Sequence, residues 1–333
     1  MKIALVSDAW APQINGVVQT LQQVCRCLEN KGNKVLVIHP GLFKSIPCPS
    51  YPEIRLALFP GRRLRKMLEE FEPDHLHIAT EGPLGISTRR HAQKTGMNFT
   101  TAFHTQFPEY IHKRIGLPLS ISYRWMKNFH NSGSGTMVST PTVRALLESR
   151  GFNQIRPWCR GVDTKQFNPN RREALPHPGP VFLYVGRVAI EKNIAAFLEL
   201  DLPGTKIVVG DGPALEGLRA KFPDTIFPGK KRGDELAKYY ASADVFVFPS
   251  RTDTFGLVML EAMASGTPAA AFPVQGPLDV LTDPEAGVMN EDLGEACKLA
   301  LGLNRDHCVD FASGFSWESC ADLFNEHLVP VRG

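Results

Sequence analysis

Short apolar runs alternate with helix-period patterns along the whole chain. Ile3–Val6 passes straight into Ser7-Asp8 and predicts a first buried strand, followed by a helix near Val17–Glu29 and a second strand over Lys34–Ile38. His75–Ile78 and Asn98–Phe103 continue the series. A Pro-rich, polar passage over Asn168–Pro180 interrupts it, and Val181–Val185 begins it again, with Lys206–Val209, Thr225–Phe227 and Asp244–Phe248 as later strands. Strand and helix in alternation predict parallel sheets, since parallel neighbours need a crossover between them. The expected fold class is α/β, with two doubly wound, Rossmann-like domains over 1–175 and 176–312 and an amphipathic helical pattern in the closing segment 313–333.

Length and composition agree with this division. A chain of 333 residues exceeds one ordinary domain, and 43% hydrophobic with 21% charged residues suits a globular protein. No apolar run reaches the roughly 18 to 20 residues that span a bilayer, and the opening residues read as a strand and not as a signal peptide. The seven cysteines form no Cys-x-x-Cys pair or Cys/His cluster, so a reduced, cytoplasmic setting without a structural metal is expected. Charge is uneven: residues 1–175 carry 24 Lys+Arg against 12 Asp+Glu, and residues 176–333 carry 13 against 22, so the formal +3 conceals halves of +12 and −9. A basic first half predicts attraction to an anionic surface or acceptor. No nucleic-acid-binding signature accompanies that charge, and no nucleic-acid partner is expected.

The candidate chemistry gathers at strand ends. Val245 to Phe248 stops at Pro249-Ser250, a polar loop carries Asp253, and Phe255-Gly256 opens a helix through Leu257, Val258 and Glu261. Unpaired N–H groups at a helix start favour an anion. With Asp253 and Glu261 eight positions apart, the stretch reads as a sugar-nucleotide site, one carboxylate meeting a sugar and the other a ribose, with the diphosphate on the helix start. The plainer alternative is any helix after any strand, with Glu261 solvated. Gly186-Arg187-Val188-Ala189-Ile190-Glu191-Lys192-Asn193 follows the strand at Val181–Val185, Gly210-Asp211-Gly212-Pro213 ends the next, and Trp10–Val18, with Asn15-Gly16, links the first strand to the first helix. His104 falls just past the strand at Asn98–Phe103.

Pro-Ser, Phe-Gly and Glu-Ala-Met-Ala-Ser-Gly occurring in that order, together with the upstream Gly-Arg…Glu-Lys-Asn, resemble the signature of retaining GT-B glycosyltransferases of the family-4 type, glycosyl transferases group 1. Among these the chain is most similar to bacterial GDP-mannose-dependent α-mannosyltransferase-like and sulfoquinovosyltransferase-like glycolipid enzymes. The family pattern has Glu, seven residues, Glu; here Asp253 stands first. The resemblance implies two domains facing across a cleft, with 313–333 crossing back to the first. It implies that Arg187 and Lys192 clamp the diphosphate, Asp253 holds sugar hydroxyls, Glu261 holds the ribose, Gly16 lines the phosphates and His104 positions the sugar. Phe255, Gly256, Leu257 and Val258 would meet the donor at the helix start, and Gly212 would lie beside it, although a tight turn without a ligand explains Gly212 equally well. Nucleobase contacts would come from Phe227–Lys231 through backbone, which leaves guanine or uracil open. No Asp-x-Asp motif at a strand end calls for a metal.

Gly61–Leu68 and Tyr110–Lys127 mix cations with apolar and aromatic residues, a pattern suited to peripheral attachment to an anionic membrane. The ordinary alternative is a solvated helix face with its apolar side buried. The expected function is transfer of a hexose, α-mannosyl from GDP-mannose in first place, to a lipid or glycan acceptor, at the inner face of the cytoplasmic membrane and with no cofactor beyond the donor. A UDP-sugar-dependent glucosyl- or sulfoquinovosyltransferase is the alternative in the same class. A GT-B sugar-nucleotide epimerase and a non-enzymatic nucleotide-binding module are the alternatives from other classes.

Overall fold

The computed structural model describes residues 1–13, 15–48, 51–104, 107–109, 112, 116–253 and 255–332. Contacts divide the chain into two units, Met1–Arg160 with Trp317–Gly333, and Gly161–Ser316. In the first unit the elements are β1 (Lys2–Val6), α1 (Gly16–Asn30), β2 (Lys34–Ile38), β3 (Ser45–Cys48), β4 (Tyr51–Ala57), α2 (Gly61–Phe71), β5 (His75–Ile78), α3 (Pro83–Thr95), β6 (Thr100–Phe103), α4 (Leu119–His130), β7 (Thr136–Val138), α5 (Pro141–Ser149) and β8 (Ile155–Pro157). The second unit holds β9 (Val181–Val185), α6 (Ile194–Leu198), β10 (Thr205–Val209), α7 (Leu215–Lys221), β11 (Ile226–Gly229), α8 (Gly233–Ser242), β12 (Val245–Phe248), α9 (Leu257–Ala264), β13 (Ala269–Ala271), α10 (Pro277–Val280), β14 (Gly287–Met289), α11 (Leu293–Ala300) and α12 (Arg305–Ser313). The chain closes with α13 (Trp317–His327).

Each unit is built on a parallel sheet. The first runs β2-β1-β5-β6-β7-β8 and the second β11-β10-β9-β12-β13-β14. Helices cover both faces, and Ile3–Val6 of β1 and Val181–Val185 of β9 are apolar and buried at every position. Crossover helices bury one stripe; in α1 it is Val18, Leu21, Val24, Cys25 and Leu28, spaced three and four apart. In both units the chain lays strands outward in one direction and then returns to the other side of its first strand. The order therefore reverses between β1 and β5 and between β9 and β12, and a crevice opens there at the carboxyl ends of the strands.

The division differs from the break expected at 175/176, for a local reason. Gly161–Glu173 is bound into the second unit: Val162 N donates to Phe315 O at 3.0 Å, Phe167 packs edge-on against Tyr240, and Glu173 N donates to Ser242 Oγ at 2.9 Å. The last segment lies in the first unit. There α13 packs on α1, Lys31 pairs with Asp322, Trp158 Nε1 donates to Cys320 O at 3.1 Å, and Val331 N donates to Asp74 O at 2.8 Å. An antiparallel ribbon, β3–β4, was not anticipated; Pro47 in it is compatible with a two-stranded edge element.

Two glycines test how tightly the strand-end loops of the second unit pack. A Cβ at Gly210 would meet Gly186 O at 1.8 Å, whereas one at Gly217, in α7, meets nothing within 4 Å. Gly210→Ala is expected to destabilise the protein by more than about 3 kcal/mol, because backbone must move aside. Gly217→Ala is expected to gain about 0.5–1 kcal/mol through helix propensity. Urea unfolding of the two variants beside the wild type measures both.

Candidate functional site

The crevice of the second unit is lined by the loops after β9, β10 and β12. Gly186–Val188 is fixed from beneath: the Tyr184 hydroxyl donates to Arg187 O at 2.9 Å, Val188 N donates to Asp211 O at 2.9 Å, and Ala214 N donates to Val188 O at 3.0 Å. A Cβ on Gly212 would stand 2.3 Å from Val188 O. Backbone packing therefore accounts for that glycine without a ligand. A single 3₁₀ turn over Ile190–Lys192 leads to Asn193, whose φ of +53° is left-handed and whose side chain donates to Pro249 O at 3.0 Å. That bond ties the loop after β9 to the loop after β12.

Lys192 and Asp253 meet across this tie. Lys192 Nζ lies 2.5 Å from Asp253 Oδ1, with the two side chains 22% and 16% exposed. Asp253 Oδ2 is buried and has no hydrogen-bond partner among the described residues. Beyond it Gly256, at φ +89°, precedes α9 and offers no side-chain cap. That left-handed φ favours glycine, and a Cβ would in addition press on Met259 Cε at 2.7 Å. Phe255 and Leu257 are buried and Val258 half-buried, so what this segment can present to an anion is backbone N–H. Arg187 is half-buried on the same rim as Lys192.

Glu261 lies one turn into α9 and is 5% exposed, which disposes of the solvated alternative. Its Oε2 accepts from the Tyr240 hydroxyl at 2.8 Å. Burial first, then the Glu261 charge, push the Tyr240 phenol well above its ordinary range, so it stays protonated and donates. Burial likewise raises the Tyr184 phenol, with Lys192, Asp253 and Glu191 close enough to act on it. Lys192, Asp253, the start of α9 and Glu261 are thus brought together over a floor of two buried tyrosines. Neither tyrosine carried a signal beyond its place in a strand or helix.

The crevice of the first unit is arranged differently. Asp8 lies two residues past the end of β1 and is 6% exposed. Its carboxylate accepts from Leu84 N at 2.9 Å, Gly85 N at 3.3 Å and the Thr80 hydroxyl at 3.0 Å, so it caps the start of α3 across the reversal point. Burial outweighs these bonds and pushes the carboxyl up to about 6. Asn15 caps α1 through Val18 N at 3.0 Å, so Asn15-Gly16 is a helix start and not a free turn; Ile14 lies outside the described residues. His104 packs edge-on against Trp158, and Arg160 Nη2 lies 3.3 Å from its Nδ1. Burial and then the Arg160 charge hold His104 well below its usual range. A guanidinium only donates, so the neutral ring carries its proton on Nε2 and is itself a donor there. Sequence reasoning missed Asp8 and Arg160, although Asp8 shares with His104 the signal of a polar residue just past a strand.

Two Rossmann-like units, each on a parallel sheet whose strand order reverses, make an α/β protein of the GT-B fold class. The model of glycosyltransferase family 4 matches residues 14–166 and that of glycosyl transferases group 1 matches residues 179–303. The GDP-mannose-dependent alpha-mannosyltransferase of Mycobacterium tuberculosis is 30% identical, covering 87% of this chain and 83% of that protein. The sulfoquinovosyl transferase SQD2 of Arabidopsis thaliana is 30% identical over 82% of this chain and 60% of its own length. Among solved structures, sucrose-phosphate synthase from Thermosynechococcus elongatus superposes with a TM-score of 0.78 at 22% identity, covering 98% of this chain and 97% of that one. The chain belongs to the glycosyl transferases group 1 and is a glycosyltransferase.

Asp8 gives a pH test with a definite sign. Its carboxyl titrates near 3.8 unfolded and about 6 folded, so between these values the folded state holds the extra proton. The contribution is complete below pH 3.8 and lost as pH rises through about 6, by up to about 3 kcal/mol. Asp8→Asn removes the titration. Relative to wild type its stability is expected to improve between pH 4.5 and 7, read by urea unfolding at each pH.

Proposed function

We propose that this glycosyltransferase moves a hexosyl group from a nucleoside-diphosphate sugar, GDP-mannose in first place, to a lipid or glycan acceptor with retention of the α configuration. The observation that carries the reading is the Lys192–Asp253 pair beside the uncapped start of α9, at the strand-order reversal of the second unit. Cleavage of the sugar–phosphate bond leaves negative charge on the departing diphosphate. Fixed cations and N–H dipoles that meet this charge as it develops lower the barrier. Lys192, Arg187 and the backbone of Phe255–Val258 are assigned to that charge, Asp253 to sugar hydroxyls and Glu261 to the ribose. His104 is assigned to the sugar, and Gly16 to the phosphate side, on the family resemblance alone. No metal is assigned, since Lys192 and Arg187 supply the positive charge. Retention follows from attack on the face that the phosphate leaves, with the phosphate oxygen taking the acceptor proton. GDP-mannose is favoured because the Mycobacterium tuberculosis relative is a GDP-mannose-dependent alpha-mannosyltransferase.

A cytoplasmic enzyme attached peripherally to an anionic membrane is the setting proposed. In α2, Leu64 and Leu68 are buried in the core, so its apolar stripe is spent on packing. The exposed face is nevertheless basic, and a shallow groove of about 620 Å³ is lined by Phe59, Arg62, Arg63, Arg65, Lys66 and Glu69. Phe59 is 96% exposed and Leu58 beside it 39% exposed. On α4, Ile121 and Trp125 are exposed one turn apart. Of the second basic stretch, Tyr110, Ile111 and residues 113–115 lie outside the described residues. No helix among the described residues is long and apolar enough to cross a membrane.

Thermal unfolding with GDP, UDP, ADP and their hexose conjugates tests the donor, because a ligand at 100 times its dissociation constant adds about 2.7 kcal/mol. Selective stabilisation by GDP and GDP-mannose is expected; selective response to UDP compounds overturns the donor, and no response overturns the donor site. Sedimentation with vesicles tests the setting. Binding to phosphatidylglycerol vesicles but not phosphatidylcholine vesicles is expected, weakened by Arg62→Glu with Arg63→Glu; equal binding to both overturns the electrostatic attachment.

A further inference from the structure

We infer that Lys192 and Asp253 form a latch that makes the donor site favour a sugar nucleotide over the bare nucleoside diphosphate, and so helps expel the product once the sugar has left. The inference rests on the reading of this crevice as the donor site and adds a coupling between its two halves. Lys192 follows β9 and is assigned above to the phosphates; Asp253 follows β12 and is assigned to the sugar hydroxyls. Their 2.5 Å bond is three-quarters or more withdrawn from water on each partner, and Asp253 Oδ2 is buried without a described partner. A partly buried carboxylate that loses its cation is left with an uncompensated charge.

A diphosphate that draws Lys192 away therefore meets a cost set by Asp253. Sugar hydroxyls remove that cost, because they donate to the carboxylate and replace the ammonium. Bare diphosphate has no such donors. Both halves of the donor are thus needed to open the pair, and loss of the hexosyl group lets Asp253 reclaim Lys192. Asn193 holds the two loops in register through Pro249, so the exchange needs only side-chain movement.

Isothermal titration with GDP, UDP, GDP-mannose and UDP-glucose tests this in wild type, Asp253→Asn and Lys192→Ala. In wild type the conjugate of the preferred nucleotide should bind more tightly than the bare diphosphate. Asp253→Asn keeps the side-chain shape and removes the competing charge. It should tighten the bare diphosphate about tenfold, the scale of one charge-assisted hydrogen bond, and abolish the preference for the conjugate. Unchanged or weaker diphosphate binding in Asp253→Asn overturns the latch. If Lys192→Ala still weakens diphosphate binding in that case, the donor-site reading stands alone. If neither substitution alters any nucleotide's affinity, both fall. Thermal unfolding without nucleotide checks that each variant is folded, and Asp253→Ser is read by the same affinity ratio where Asp253→Asn is not.

Discussion

Parallel strands place all their carboxyl ends along one edge of a sheet, and a chain that reverses its strand order there leaves two neighbouring loops diverging to opposite faces. The space between them is the one position on that edge that no crossover covers. In the second unit the reversal lies between β9 and β12. Gly186–Asn193 and Pro249–Gly256 consequently meet although sixty residues separate Lys192 from Asp253 in sequence. The remaining site geometry follows from holding those loops close. Gly210 and Gly212 let the loop after β10 lie directly on the Gly186–Val188 backbone, and Gly256 lets α9 begin against Phe248 and Met259.

The two units share this topology and use it in opposite ways. At the reversal of the first, Asp8 fills the N-terminus of α3 with a carboxylate from the protein itself. At that of the second, α9 begins at a glycine that supplies no cap. A helix start is attractive to an anion only while its N–H groups are unclaimed. On the proposed reading, this contrast points a diphosphate to the second unit, a distinction that the similar architecture of the units conceals. The raised titration of Asp8 shows what the closed arrangement costs.

Much of this architecture is legible in the sequence because its signals are local. Ile3–Val6, Val181–Val185 and Val245–Phe248 are continuous apolar runs, as strands covered on both faces must be. Arg187, Lys192, Asp253, Gly256 and Glu261 stand out as candidates because each follows such a run within a short motif. What escapes depends on distant partners. Ala269–Ala271 is a buried strand of residues with little strand preference, placed by β12 and β14 on either side. Gly161–Glu173 reads as the tail of the first domain until Phe315, Tyr240 and Ser242 bind it to the second. The carboxylates of Asp253 and Glu261 were legible as a pair, but not that one would meet a lysine and the other a tyrosine.

That difference separates the site into a fixed part and an exchangeable part. Tyr184 and Tyr240 are buried phenols whose hydroxyls are satisfied by the Arg187 carbonyl and by Glu261. Breaking either bond would leave a buried polar group unpaired, at about 1–3 kcal/mol. The Arg187 backbone and the Glu261 carboxylate are therefore held in place by the fold itself. Lys192 and Asp253 are joined by a charge pair that keeps some exposure on both sides, a contact that a ligand can imitate. On the proposed donor-site reading, affinity for the constant parts of a donor resides in the rigid floor, while discrimination between a whole donor and its spent nucleotide requires side chains whose partners are exchangeable.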